Sequence, residues 1–328
     1  MDKPSNESIS QQGVVMRKQR GFYLVRRMDG TLITCSASNR LRKKLIYPIA
    51  DPSSLSHRVQ SVEDIDQVDP LAIGDRVEFI LAGDETGMIE SVLPRWNSLS
   101  RQAAGREKLE QVMAANIDQI ITVFAAAQPA PKWSLLDRYL VTAEQSEIPA
   151  VICITKMDLA DLSELNEALE IYRRIGYRVV LTSSATGEGM DEIKGLLAGK
   201  ASVLMGKSGV GKTSLLNAIQ PGLGLKVGEV GKGGGKGKHT TTHLEMFPLD
   251  AGGGIIDTPG MREFSLWEDA DRSLALFFPE MKPYVGTCRF GLNCSHQEEP
   301  GCAIREAVMA GKVHPQRYLS LTKLAQER

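Results

Sequence analysis

A glycine-rich run in the second half of the chain has the spacing of a phosphate-binding loop. Residues 206–213 fit the pattern G-x-x-x-x-G-K-[ST], with a short apolar strand predicted before them and helical apolar spacing after them. Backbone N–H groups of such a loop surround phosphate oxygens, and the helix that follows points its positive end at them. An accidental glycine-rich turn is the alternative, which the flanking strand and helix disfavour. The predicted nucleotide contacts here are Gly206, Lys207, Ser208, Gly209, Val210, Gly211, Lys212, Thr213 and Ser214.

Two side chains of this loop and one later aspartate predict a nucleotide bound with magnesium. Lys212 should reach the β- and γ-phosphates, and the Thr213 hydroxyl should ligate Mg²⁺. Asp257 follows another apolar strand and can hold Mg²⁺ through water, while Gly260 can offer its N–H to the γ-phosphate. Asp-x-Pro-Gly alone is ordinary turn chemistry, but its position after a phosphate loop favours the functional interpretation.

A second strand end carries the chemistry of guanine recognition. Residues 155–158 read Thr-Lys-Met-Asp and resemble the Asn-Lys-x-Asp element of GTPases, whose aspartate accepts from two donors that guanine has and adenine lacks. Thr155 replaces the usual asparagine, which removes an amide that normally ties the element to its surroundings. A strand-end turn is the alternative. Residues 182–189 resemble the loop whose Ser-Ala backbone contacts the guanine oxygen. The predicted guanine contacts are Thr155, Lys156, Met157, Asp158, Ser184 and Ala185.

The group that positions the attacking water is less evident. Met261 stands where many GTPases carry a glutamine, and methionine cannot polarise water, so intrinsic hydrolysis should be slow. His239 precedes the threonines 240–242, one of which should close over Mg²⁺, and is our candidate. His243 is the second choice, and either histidine could be a solvated loop residue. The predicted catalytic residues are His239, Lys212 and Thr213.

Three of the five cysteines lie close together near the C-terminus, beside a histidine. Three thiolates and an imidazole form a closed tetrahedral Zn²⁺ set, and such clustering favours a metal site in a reducing compartment over disulfides. Three unrelated buried cysteines are the alternative. The predicted metal ligands are Cys288, Cys294, His296 and Cys302.

Composition limits the class of protein. The 328 residues suffice for two or three domains, and 42% are hydrophobic, enough for a sizeable core. The net charge is −1, so no whole-protein field attracts nucleic acid. No apolar run reaches the roughly 18 residues of a membrane span, and we expect no membrane partner. Residues 1–12 are polar and predict a disordered tail without a signal sequence, so we expect a cytoplasmic protein.

Residues 13–95 predict an all-β OB-like barrel that binds RNA. Four short β-prone runs, with turns at residues 28–30 and 73–75, suit such a barrel. Basic residues cluster in its first half, with Phe22 and Tyr23 interleaved, which favours RNA contact. A solvated charged face is the alternative. The cluster comprises Arg17, Lys18, Arg20, Arg26, Arg27, Arg40, Arg42, Lys43 and Lys44. Residues 96–115 are polar and charged and predict a linker that ends in a helical stretch.

Residues 116–272 alternate β and α patterns, which predicts an α/β domain with a doubly wound sheet. Ser134 is expected to cap the first of its helices. The glycine-rich residues 222–238 are either a linker or, more in keeping with the threonine run that follows, a mobile phosphate-sensing loop. Residues 273–328 predict a helical zinc-binding module. The expected strands are 119–124, 149–154, 178–181, 203–205, 244–249 and 254–257, and the expected helices are 135–143, 162–175, 190–197 and 214–219.

The order of these motifs differs from that of ordinary GTPases, because the base motifs precede the phosphate loop and Asp-x-x-Gly follows it. That is a circular permutation. With the β-barrel and the Cys/His cluster, the chain resembles the RsgA (YjeQ) family of small ribosomal subunit GTPases. Motifs that carry the resemblance are Pro94 to Arg101, Glu110 to Asp118, His239 to Thr242 and Glu299 to Cys302. Five residues separate Cys288 from Cys294, where the family usually has four.

The resemblance implies a GTPase that turns GTP into GDP and phosphate with Mg²⁺. It implies a partner, the small ribosomal subunit with its rRNA, which stimulates hydrolysis late in subunit maturation. It also assigns one structural Zn²⁺ to the four Cys/His ligands, and we expect a monomer. Two rival functions remain open at this point. One is a small-molecule kinase, for which the sequence offers neither acceptor pocket nor base. The other is a non-catalytic RNA chaperone gated by nucleotide, which Met261 keeps in consideration.

Overall fold

The computed structural model describes residues 10–19, 21–42, 70–83, 85–102, 110–160, 162–223, 245–257 and 273–327. These residues belong to two compact units. The first holds the described residues up to 117 together with 245–247 and 256–257, and the second holds 118–223, 248–255 and 273–327. Several predicted features lie outside the described residues: most of the tail, Lys43, Lys44, the glycine-rich residues 231–238, His239, the threonines 240–242, His243, Gly260 and Met261.

Five strands of the first unit close into a barrel. Strand β1 pairs antiparallel with β2 and β4, β2 pairs antiparallel with β3, β3 pairs parallel with β5, and β4 pairs antiparallel with β5. Alternate residues such as Val15, Val25, Ile33 and Phe79 point inward and are buried. The elements are β1 (Gln11–Gln19), β2 (Phe22–Arg27), β3 (Leu32–Ala37), the short helix α1 (Asn39–Arg42), β4 (Arg76–Leu81) and β5 (Thr86–Val92). The predicted barrel is confirmed, and its first strand starts at Gln11, two residues before the expected start of the barrel at residue 13.

The segment expected to be a linker ending in a helix instead contains two strands. β6 (Ser98–Gln102) and β7 (Glu110–Ala115) pair antiparallel. The alanine-rich end of β7 has good helix propensity, but its pairing and the burial of Val112 and Ala114 outweigh that weak preference. The prediction of a helical stretch was therefore wrong.

Side-chain hydrogen bonds fix this segment within the first unit. Arg95 donates from Nε and Nη2 to the two carboxylate oxygens of Asp75, at 2.6 and 2.7 Å, and Asp75 is fully buried. Asn97 exchanges two hydrogen bonds with the backbone of Ile117, at 2.7 and 2.8 Å. A buried bidentate pair of this kind orders the chain on both sides of it.

The second unit is built on a parallel sheet, as predicted. Its four central strands lie in the order β10-β9-β8-β11, and residues 253–255 of β13 lie beyond β11. All seven residues of β8 are buried, as expected for a strand covered on both faces. The strands of this unit are β8 (Gln119–Ala125), β9 (Ala150–Thr155), β10 (Arg178–Leu181), β11 (Lys200–Met205) and residues 253–255 of β13 (Gly253–Asp257). The remaining strand, β12 (Glu245–Pro248), belongs to the first unit except for its last residue.

Helices cover both faces of this sheet. Ile121 and Val123 pack in one cluster with residues of α4 and α5, whereas the ring of Phe124 lies 5.9 Å from that of Tyr139 in α2. The helices are α2 (Trp133–Gln145), α3 (Leu162–Ile175), α4 (Met190–Leu197) and α5 (Lys212–Ile219). Ser134 was expected to cap α2, but it lies inside the helix, and Lys132 occupies the cap position without a side-chain hydrogen bond.

The order of the strands creates a crevice at the carboxyl edge of the sheet. From β8 the chain continues to β9 and β10 on one side, and β11 lies on the other side. Ligands of doubly wound folds bind outside the carboxyl ends of the strands at such a switch point. The guanine motif follows β9 and the phosphate loop follows β11, so both start at this edge of the sheet.

The C-terminal segment of the second unit contains α6 (Ala303–Met309), α7 (Pro315–Gln326) and several 3-10 turns. Val141 of α2 belongs to the same buried cluster as the cysteines of this segment and Leu321 of α7. Residues 273–327 therefore share a core with the sheet unit. Among the described residues, no helix combines the length and apolar character needed to cross a bilayer.

Candidate nucleotide-binding site and metal centre

The phosphate loop leaves β11 and turns into α5 as the motif requires. Gly206 passes so close to β8 that a Cβ there would lie 2.5 Å from the carbonyl oxygen of Val123. Gly211, at the N-cap of α5, has a φ of 93°, which favours glycine. Nζ of Lys212 donates to the carbonyl oxygens of Gly206 and Lys207, at 2.5 and 3.1 Å. Thr213 and Ser214 lie half-buried in the first turn of α5.

Thr155 joins the guanine motif to the phosphate loop. Its hydroxyl donates to the carbonyl oxygen of Val210 and lies 3.3 Å from that of Phe124. Thr155 is only 2% exposed, so this hydrogen bond is shielded from water. The absence of the usual asparagine was expected to remove a hydrogen bond between this motif and its surroundings. The hydroxyl of Thr155 makes such a hydrogen bond instead.

Lys156 adds a second link between the same two segments. Its Nζ donates to the carbonyl oxygen of Gly209 at 2.8 Å and to that of Gln128. A trans peptide directs its C=O and the next N–H in opposite directions. Because the carbonyls of Gly209 and Val210 point to Lys156 and Thr155, the N–H groups of Val210 and Gly211 point away from them.

Asp158 is exposed at the edge of the sheet and is oriented by a serine that the sequence analysis missed. One carboxylate oxygen of Asp158 accepts from the Ser183 hydroxyl at 2.5 Å. Oγ of Ser183 in turn accepts from the backbone N–H groups of Ala185 and Thr186, at 3.3 and 3.2 Å. The two adjacent serines after β10 were the available signal. Sequence reasoning selected Ser184 and Ala185, both exposed, whereas Ser183 is buried and contacts Asp158.

The four predicted metal ligands converge. The ligand atoms of Cys288, Cys294, His296 and Cys302 all lie within 4.8 Å of one another, and all four residues are buried. Nδ1 of His296 lies 3.5 Å from each of the sulfurs of Cys288 and Cys302. Three sulfurs and one imidazole nitrogen are the donors of closed structural zinc sites, so this set fits such an ion. The five-residue spacing after Cys288, which includes a 3-10 turn (Gly291–Asn293), does not prevent convergence.

Burial shifts the pKa values of two members of this cluster, Cys294 and His296. It raises the pKa of the Cys294 thiol to about 12 and lowers the pKa of His296. Both shifts favour neutral groups, so a bound cation is what would make the thiolate the stable form here. Burial also raises the pKa of two cysteines outside the cluster, Cys35 to about 11 and Cys153 to about 12.

The basic cluster of the barrel is less uniform than its sequence suggests. Arg17 forms an ion pair with Glu245, and burial lowers the pKa of Lys18 to about 8. Tyr23 points into the barrel. Phe22 lies on the outer face and Arg40 is exposed on α1, whereas the side chains of Arg20, Arg42, Lys43 and Lys44 lie outside the described part of the chain.

Comparison with known proteins decides the family. The sequence model of the RsgA GTPase family matches residues 92–267, more than half of the chain. The chain belongs to the RsgA GTPase family. The match begins before the guanine motif and extends beyond the phosphate loop and Asp257. The resemblance inferred from the motifs is thus confirmed, and membership makes the protein a GTP hydrolase.

Relatives agree with the RsgA assignment along the whole chain. The small ribosomal subunit biogenesis GTPase RsgA of Moorella thermoacetica is 40% identical over 94% of this chain and 93% of its own length. The crystal structure of YjeQ from Thermotoga maritima is similar, with a TM-score of 0.72, 32% identity, and coverage of 97% of this chain and 98% of that chain. The crystal structure of YloQ, a circularly permuted GTPase, has a TM-score of 0.69 and 29% identity, with coverage of 99% of this chain and 97% of that chain.

Some predicted site residues of this RsgA-family chain cannot be placed. Asp257 ends β13, but its side chain is not among those described. His239 and Gly260 lie outside the described residues. Their roles, and the assignment of each loop residue to the nucleotide, stay predictions.

Proposed function

We propose that the protein hydrolyses GTP to GDP and phosphate in biogenesis of the small ribosomal subunit. The proposal draws on the printed function of relatives that align along nearly the whole chain. The observation that carries the nucleotide part is the pair of links from Thr155 and Lys156 to the phosphate loop. They hold the base-recognition and phosphate-recognition segments at one crevice, so a single nucleotide can contact both.

Guanine recognition is assigned to Asp158. Its carboxylate would accept from the ring N–H and exocyclic amine of guanine, while the stem of Lys156 lies along the base. The Ser183 hydroxyl orients the carboxylate by donating to one of its oxygens, and each of the two oxygens keeps a lone pair that can accept from the base. The backbone N–H of Met157 donates to the carbonyl oxygen of Thr182 at 3.2 Å, so Met157 would line the pocket without donating to the base. The exposed turn at Ser184 and Ala185 would complete the pocket, with the Ala185 N–H turning from Ser183 Oγ to the guanine oxygen.

Phosphate recognition is assigned to the loop from Gly206 to Ser214. The N–H groups of Val210 and Gly211 point away from the tied carbonyls and would face the phosphates. Lys212 would exchange its two loop carbonyls for β- and γ-phosphate oxygens. Thr213 and Asp257 would hold Mg²⁺, and Gly260 would donate to the γ-phosphate. When bound, Mg²⁺ supplies positive charge to the phosphate oxygens.

Hydrolysis requires a water in line with the γ-phosphate, and Met261 cannot polarise it. We assign that task to His239 and propose that binding of the small subunit brings it to the water. Nucleotide and subunit would then order the segment that carries His239, which links the GTP state to the ribosome. Hydrolysis by the protein alone would be slow, and the subunit would stimulate it.

The outer face of β2 and β3 is the proposed rRNA contact. Phe22 and Leu32 are each 54% exposed, and Arg26 lies opposite Leu32 in the antiparallel register. Phe22 offers a ring for unpaired bases and Arg26, on the same face of β2, a cation for phosphates, and OB-folds bind nucleic acid on this face. We expect the protein to be a monomer and to meet this partner in the cytoplasm.

Zinc is proposed for the Cys/His cluster, with Cys288, Cys294, His296 and Cys302 as ligands. Such an ion would crosslink four buried side chains and contribute on the order of 10 kcal/mol to folding. Metal analysis of protein purified without chelators should find one zinc per chain. Protein without stoichiometric zinc would contradict the assignment.

Cosedimentation tests the partner directly. We expect the protein to sediment with purified small ribosomal subunits in a non-hydrolysable GTP analogue, and more weakly in GDP. Large subunits serve as the matched control. Equal retention by both subunits in both nucleotides would contradict the proposed function.

A further inference from the structure

The turn that carries His296 is held from outside the Cys/His cluster by a tyrosine. Tyr318, in α7, donates its hydroxyl to the carbonyl oxygen of His296 at 2.7 Å and lies 3.2 Å from that of Gln297. We propose that Tyr318 is a positioning residue that holds His296 in place as a metal ligand. The inference rests on the proposed metal site and goes beyond the four ligands themselves.

The backbone at His296 needs such support. Its φ is 62°, in the left-handed region that residues with a side chain seldom adopt. On the N–H side of the turn, the Glu299 carboxylate accepts from the backbone of Ser295 at 2.7 Å and of Gln297 at 3.0 Å. Tyr318 secures the carbonyl side. The peptides around His296 are therefore held from both sides, with Nδ1 directed at the sulfurs.

Helix α7 is itself fixed to the sheet unit next to Tyr318. Arg317 donates to Asp137 of α2 at 2.6 Å and to Glu280 at 2.6 and 3.2 Å, with only 1% of its side chain exposed. Ser320 also donates to Asp137. Burial alone lowers the pKa of Arg317, but the charge of Asp137 and the hydrogen bonds to Glu280 raise it above the ordinary value. Arg317 is thus a fixed cation, and the helix that bears Tyr318 cannot shift without breaking this network.

These contacts connect the turn that carries His296 to α7, and α7 to α2 of the sheet unit. Outer-shell partners that orient a ligand typically change metal affinity by about 10- to 100-fold when they are removed. A tyrosine that only packs against the turn would not change metal affinity when its hydroxyl is lost. Metal affinity therefore separates the two roles.

The test compares two variants of the full chain that lose the same atom. Tyr318→Phe removes the hydroxyl at the turn and keeps the ring. Tyr177→Phe is the control, because the Tyr177 hydroxyl donates to Glu144 at 2.9 Å in the same unit without contacting the cluster. Zinc affinity is measured by competition with a chromophoric chelator, and GDP affinity verifies that each variant is folded. We expect about 10- to 100-fold weaker zinc binding for Tyr318→Phe only. Equal zinc affinities for both variants and the parent would overturn the inference.

A second measurement uses the unchanged protein, so it stands even where a variant fails to fold. Removal of the metal by a chelator should raise amide hydrogen exchange in α7, residues 315–326, more than in α4, residues 190–197. Unchanged exchange in α7 would overturn the inference. A parent protein that binds neither zinc nor cobalt would instead overturn the proposed metal site, which keeps the two failures distinct.

Discussion

At the scale of single residues, Thr155 illustrates how a replacement can preserve a role. The sequence shows only that an expected asparagine is absent. The structure adds that the threonine hydroxyl reaches the carbonyl oxygen of Val210 across 55 positions in the chain. That partner depends on how β9 and β11 are arranged in the sheet, which a local motif does not encode. Ser183 was missed for the same reason, because its contact with Asp158 joins two separate strand ends.

Thr155→Val should weaken GDP binding by about fivefold, since one shielded hydrogen bond is worth roughly 1 kcal/mol. Thr155→Ser retains a hydroxyl and should bind nearly as the parent does. Because Thr155 acts on the loop and not on the base, the affinity ratio of GDP to xanthosine diphosphate should not change. Calorimetric titration measures the affinities of the parent and both variants for GDP and for xanthosine diphosphate. Parent-like GDP affinity in Thr155→Val would remove Thr155 from the positioning of the loop.

Asp158→Asn should weaken GDP binding and favour xanthosine diphosphate, because the amide offers a donor to the xanthine oxygen. The ratio of the two affinities should therefore invert, in contrast with Thr155→Val. Competition binding with GDP and xanthosine diphosphate measures this ratio. An unchanged preference for guanine would exclude Asp158 from the base contact.

At the scale of elements, the sequence predicts strands and helices well where apolar spacing is regular. The bounds of α3, β10 and α4 agree with the expected 162–175, 178–181 and 190–197. β6 and β7 were mistaken for a linker with a helical end, because their order depends on pairing with each other and on neighbouring ion pairs. Charge patterns were a weaker guide, since Arg17 has an acidic partner that is distant in sequence.

The outer face of the barrel gives a prediction at this scale. Arg26→Ala with Arg40→Ala should weaken binding to small subunits, and each lost phosphate contact should reduce the salt slope by about 0.9. The charge-matched control is Arg174→Ala with Arg178→Ala, two exposed arginines of the second unit. Binding is measured by fluorescence anisotropy across a salt series. Equal slopes for both double variants and the parent would locate the RNA contact elsewhere.

The segment with His239 gives another prediction, argued from its sequence. His239→Ala should retain GTP and subunit binding but lose about a hundredfold of stimulated hydrolysis, the scale of a positioned acid–base group. His243→Ala is the matched control and should stay close to the parent. Parent-like stimulated rates in His239→Ala would shift the role to His243 or to a ribosomal group.

At the scale of the whole molecule, the order of motifs was the most informative feature of the sequence. Base motifs before the phosphate loop indicated a circular permutation, and the family match and the similarity to YloQ agree with it. Residues 273–328 were predicted as a zinc-binding module, and the described residues of this segment belong to the same compact unit as the sheet, where Arg317 and Ser320 donate to Asp137. Long-range buried ion pairs leave no periodic trace in the sequence.

We expect the hydrolysis rate of this RsgA-family GTPase to depend on the small ribosomal subunit. The most direct test is single-turnover hydrolysis of GTP and ATP, with and without purified small subunits. We predict slow hydrolysis of GTP by the protein alone, a large increase with small subunits, no increase with large subunits, and no hydrolysis of ATP. A GTP rate that small subunits leave unchanged, or equal turnover of ATP, would contradict the account.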